Sequence, residues 1–159
     1  MLLFRKINFA TLFLISACGF SSLYKDDQPD SLAGKISIQE PKTQNEFVFY
    51  SQFKDRFSEG NSKYFLTYAI TTSKKDSALN FDGTAHRIEI SGSVTFSFKE
   101  KENGLEILSG REEMSLSYSN FGSTAAVLNA ERITNKQLVV LLADKVADRI
   151  SLAIVEKGS

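Results

Sequence analysis

Hydrophobic and polar positions alternate, then repeat at three and four, then alternate again along this chain. Lys35 to Gln39 puts Ile36 and Ile38 on one side and reads as a short strand, ended by Pro41. Thr43 and Glu46 then form a T-x-x-E capping box, in which each satisfies a backbone donor of the other at a helix start. Phe47, Tyr50, Phe53, Lys54 and Phe57 mark the following turns, and Gly60-Asn61 supplies a stop. The spacing predicts an aromatic-faced helix over 43–59.

Three alternating segments follow. In 63–73, Tyr64, Leu66, Tyr68 and Ile70 share one parity, with threonines largely on the other. In 86–99, Ile88, Ile90, Val94, Phe96 and Phe98 share a face. Gly92 holds the one in-phase position without a side chain, which predicts a bulge or close packing by a helix. Asn103-Gly104 is a hairpin signal, so 105–119 returns as the partner strand. Its apolar parity changes between Leu105, Ile107 and Met114, Leu116, Tyr118. A bulge is expected near Ser109-Gly110. A fourteen-residue strand extends roughly 46 Å, far beyond the usual five or six residues.

The last third is helical: Val139, Leu142, Ala143, Val146, Ile150, Ala153 and Ile154 recur at three and four. Thr134 with Gln137 resembles a second capping box, and 123–133 forms either the first turns of this helix or a separate one. The order is β-α-β-β-β-α. With one apolar face per element, the expected fold is α+β: a two-layer sandwich with both helices on one face of a mostly antiparallel four-stranded sheet.

The N-terminus carries different information. Arg5 and Lys6 precede an apolar run from Ile7 to Ala17, the grammar of a secretory signal peptide over 1–17. The run is too short to span about 30 Å of hydrocarbon as a helix. It ends Ile15-Ser16-Ala17-Cys18, which resembles a bacterial lipobox. A diacylglycerol and an N-acyl chain on Cys18 would then be the only attached groups, each buried methylene contributing roughly 0.8 kcal/mol to anchoring. Residues 18–34, with Pro29 and Gly34, read as the lipidated end and a polar tether, leaving 35–157 as one domain. Gly19 after the cysteine favours the outer membrane.

Composition narrows the function classes. The chain has 159 residues, 19 basic against 19 acidic, one Cys, one His and 13 Phe. Neutrality argues against a nucleic-acid partner, and a single Cys against a disulfide framework or a multi-Cys zinc site. No G-x-S-x-G elbow or glycine-rich phosphate loop is present. His86 reads as a strand-start histidine, the Asp76 to Asp82 stretch as a turn, and Glu112 and Glu113 alternate faces and make no dyad. No enzyme and no metal site are expected. Arg87, Arg111, Arg132 and Lys136 flank the long strands and the entry to the last helix. They are the candidates for phosphate contact.

The string Cys18-Gly19-Phe20-Ser21-Ser22-Leu23-Tyr24 resembles the C-G-F-x-P-L-Y start of the LPS-assembly lipoprotein family, LptE, with Ser22 where relatives often carry Pro. Arg87 at the head of the longest strand and the Ser109-Gly110 to Ser117-Tyr118 stretch are also similar. The resemblance implies a lipid-anchored protein on the periplasmic side of the outer membrane, standing as a plug inside the LPS-assembly β-barrel LptD. It also implies help in folding that barrel and in delivering lipopolysaccharide to the outer leaflet. Arg87, Arg111, Arg132 and Lys136 are the lipopolysaccharide candidates by local type. A stand-alone periplasmic lipid- or glycan-binding lipoprotein is the alternative.

Overall fold

A computed structural model describes residues 36–57, 62–79 and 85–158. The elements are β1 (Ile36–Ile38), α1 (Gln44–Arg56), β2 (Tyr64–Leu79), β3 (Ala85–Glu100), β4 (Glu106–Ser119) and α2 (Thr124–Gly158). The four strands form one sheet in the order β1-β2-β3-β4. β1 pairs parallel with β2, and the other two pairings are antiparallel. The expected α+β order and sheet are therefore present. Cys18, the signal peptide, the tether and the Gly60-Asn61 stop lie outside the described residues.

The capping box at Thr43 forms as its residues predict. Glu46 N–H donates to Thr43 Oγ1 (3.2 Å), and Thr43 N–H donates to Glu46 Oε2 (3.2 Å). The buried stripe of α1 is Phe49 and Phe53, continued at the same spacing of four by Phe57 at its C-cap. Phe47, assigned to that face by the sequence reading, is instead exposed. Phe49 stacks on Tyr68 of β2 at 4.5 Å between centroids, and Phe53 meets Phe57 at 4.6 Å. Such pairs contribute about 0.5–1.5 kcal/mol beyond area burial. Tyr68 Oη donates to the Glu46 carbonyl (3.2 Å), and burial pushes its phenol well above the usual tyrosine range.

Both helices lie against the even-numbered face of the sheet. Leu66, Ile90, Val94, Phe96 and Phe98 meet Leu138, Val139, Leu142, Val146 and Ile150 in one buried cluster. Gly92 lies in regular register between Thr72 and Met114, so no bulge occurs there. A Cβ at Gly92 would stand 2.9 Å from Leu138 Cδ2 and 3.2 Å from Leu142 Cδ1, so this glycine lets α2 approach the sheet.

Three expectations are corrected. The bulge in β4 lies at Ile107, not at Ser109-Gly110: Phe98 pairs with Leu108, while Lys99 pairs with Glu106. Leu108 and Gly110 are already in phase with Met114, but Gly110 has no side chain to report it. Secondly, β2 continues past residue 73 to Leu79, so Asp76 belongs to a strand and not to a turn. Thirdly, α2 runs unbroken through 124–158, and Thr134 is a buried mid-helix residue instead of a cap. The start of α2 is served by Ser123, whose Oγ accepts from Ala126 N–H (3.3 Å). Among the described residues no helix is long and apolar enough to cross a membrane.

Candidate functional site

The sheet face turned away from the helices is built from odd-numbered positions, and its register aligns hydroxyls in rows. Thr67, Ser97 and Ser109 form one row, and Ser73, Ser91 and Ser115 another. Between them, Thr71 and Ser93 align with Glu113. Ser91 Oγ and Ser115 Oγ are 2.8 Å apart. Two carboxylates are held in this lattice. Glu89 is kept below its usual pKa by Lys75 and by the Ser91 and Ser115 hydroxyls. Glu106 is kept low by donation from Ser97 Oγ (2.6 Å) and Ser109 Oγ (2.7 Å). An open groove of about 430 Å³ runs over Thr71, Ser73, Ser91, Ser93 and Ser115. Rotatable hydroxyls both donate and accept, so such a face can meet a polar surface of either character.

The four candidate cations separate. Arg87 and Arg111 both lie exposed on the hydroxyl face, opposite Ser119 and Thr95 respectively. Residues 87 and 95 of β3 are eight apart, roughly 27 Å along the strand, so these two arginines do not share a phosphate. Arg111 Nε instead pairs with Glu113 Oε1 at 2.7 Å.

Arg132 and Lys136 stand one turn apart on α2, about 6 Å along its axis. They line the same groove of about 660 Å³, with Leu116 of β4 and Ile133, Val140 and Leu141 of α2. Ile133 is 44% exposed and Leu141 39%. Two cations beside an apolar floor can take an anionic head and an aliphatic tail at once. The sequence signal for this groove is a second apolar stripe, Ile133, Val140 and Leu141 at spacing seven and eight, outside the core stripe of α2. This stripe does not stand out in the sequence, because the core stripe alone accounts for the helix.

Farther along α2, against the same strand β4, Arg149 Nη1 donates to Glu112 Oε1 (2.6 Å), and its guanidinium lies 5.4 Å from the Phe96 ring centroid. Toward the far end of the sheet, Glu131 accepts from Lys74 Nζ (2.6 Å) and Tyr118 Oη (3.1 Å), which holds its carboxyl below the usual range. The two helices are tied by Gln52 to Asp144 (3.0 Å) and Arg56 to Asp148 (2.6 Å).

No protein-family model and no curated protein matches this sequence. Solved structures do share the fold. Rare lipoprotein B from Shewanella oneidensis matches at 11% identity and a TM-score of 0.61, covering 79% of this chain and 98% of that one. A minor lipoprotein from Acinetobacter baumannii matches at 19% identity and 0.58, covering 76% and 92%. A candidate lipoprotein from Caulobacter crescentus CB15 matches at 19% identity and 0.58, covering 79% and 91%. At these identities the likeness is one of fold.

Proposed function

We propose that this protein is an outer-membrane lipoprotein, anchored through acyl chains on Cys18, that stands as a plug in the lipopolysaccharide-translocating β-barrel LptD. In this role it assists assembly of the barrel and delivery of lipopolysaccharide to the outer leaflet, without catalysis. The observation that carries the reading is the shared fold with structures described as lipoproteins, taken together with the I-S-A-C string at Cys18.

The two surfaces support it physically. A barrel of this class has a polar interior, and the rows of Ser and Thr hydroxyls offer a matching polar face that needs no fixed donor pattern. The groove on α2 suits the amphiphile: phosphate oxygens on Arg132 and Lys136, acyl methylenes on Ile133 and Leu141. Bound phosphate favours arginine because its fork presents paired donors.

Purification from crosslinked membranes should recover a β-barrel partner, and depletion of the protein should stop that barrel from maturing. Normal barrel maturation after depletion would overturn the reading. The groove also serves a second reading, a stand-alone lipid- or glycan-binding lipoprotein. Tight ligand binding by the purified chain, with no barrel recovered, would select it.

A further inference from the structure

Among the described residues, β4 is an edge strand of fourteen residues, paired on one side only, with β3. Such edges template further pairing unless proline, bulges or charges block them. β4 contains no proline, and its one bulge, at Ile107, lies close to its start. We propose that this edge pairs antiparallel with β4 of a second copy of the same chain, about a two-fold axis at Glu112.

The register follows from the side chains. An axis at Glu112 sets Arg111 of each chain directly opposite Glu113 of the other, on the hydroxyl face. The Arg111–Glu113 contact of each chain (2.7 Å) thereby becomes half of an alternating square of two cations and two anions. The same axis places Ser109 opposite Ser115 on that face, and on the helix side Leu108 opposite Leu116 and Gly110 opposite Met114. Moving the axis to Arg111 or to Glu113 sets that residue opposite its own copy and removes both Arg111–Glu113 cross-strand pairs. At Glu112 the carboxylates also face each other, but each is already bound by Arg149 at 2.6 Å. Lys145 donates to the Glu113 carbonyl (3.3 Å) in the single chain. It is the kind of lysine that shields sheet edges, and a single flexible side chain gives way to a continuous ladder. The pairing stands independently of the proposed barrel role, and it brings a second chain beside the α2 groove that Leu116 borders.

The test uses the full chain in mild detergent with reductant, so that Cys18 cannot join two copies, followed by sedimentation at low salt. The parent should self-associate into dimers. Arg111→Glu and Glu113→Arg alone should each weaken self-association about tenfold, since two favourable cross-strand pairs become repulsive. Mixing these two variants restores both pairs and should regenerate a dimer containing one of each. Both substitutions are at exposed positions, so the fold is retained. A parent that stays monomeric at every concentration, or a mixture no more dimeric than either variant alone, would overturn the proposal.

Discussion

Arg149 occupies the space that a side chain on Gly110 would fill. A Cβ there would stand 2.8 Å from its Nη1, the atom that donates to Glu112 Oε1 at 2.6 Å. The missing side chain on β4 and the long one on α2 are thus one packing unit. It joins the edge strand to the helix above it.

A double-mutant cycle reads this unit directly. Gly110→Ala pushes the guanidinium off Glu112 and should cost below about 1 kcal/mol, because only the end of a flexible, partly exposed side chain moves. In an Arg149→Ala background the same substitution should cost nothing measurable in urea unfolding.

Gly92 predicts a larger effect. Its neighbours are the methyls of Leu138 and Leu142, fully buried beneath α2. Gly92→Val overpacks this contact and should destabilise by about 1–3 kcal/mol, seen as a lower urea midpoint with an unchanged slope.

Phe49 and Phe53 are almost wholly buried between α1 and the sheet. Phe49→Ala removes the stacking on Tyr68 and leaves a cavity, with an expected loss of about 3–5 kcal/mol. Thr43→Ala, which removes only the cap, should cost about 1 kcal/mol. Thermal unfolding of the two variants should preserve that ranking.

Stability should fall on the acid side through Glu131. Lys74 and Tyr118 hold its folded carboxyl below the usual value of 4.5. The folded state therefore binds that proton less readily than the unfolded chain. The stabilisation is complete above about pH 4.5 and is lost as pH falls through the lowered value. Glu131→Gln should be less stable at neutral pH and show a flatter decline between neutrality and pH 3.

Lipopolysaccharide binding should separate the cations. Arg132→Ala with Lys136→Ala should weaken it by about tenfold or more, as expected for lost charged hydrogen bonds. Arg87→Ala with Arg111→Ala should change it little, because these two residues stand far apart on the opposite face of the sheet. Equal losses in the two double variants, measured by titration with purified lipopolysaccharide, would place the ligand elsewhere.

The inward positions of the sheet are legible in the sequence because burial leaves a mark at every second residue. Tyr64, Leu66, Tyr68, Val94, Phe96 and Phe98 all face the helices as their parity predicts. The cap at Thr43 and the close approach at Gly92 are legible for the same reason, since each depends on neighbours close in sequence or in phase. Signals fail where the chain is solvated on both sides or carries no side chain. Residues 74–77 of β2 are exposed and polar, so their strand character comes from pairing with β3 alone. The bulge at Ile107 leaves no local mark, because Gly110 has no side chain to show that the parity has already changed. The groove of Arg132 and Lys136 requires knowing which flank of α2 lies along β4, and no local pattern encodes that.

The sheet order also bears on how the chain acquires its shape. β2, β3 and β4 are neighbours in sequence as well as in space, so each can zip onto the previous strand across a short stretch of chain, at modest entropic expense. β1 is the exception. Only three residues long, it must wait for α1 and β2 before its parallel partner exists. Closure at Ile36–Ile38 is therefore expected late on the way in and early to yield on the way out, and a protease that samples transient opening should find the N-terminal side of the domain before any other.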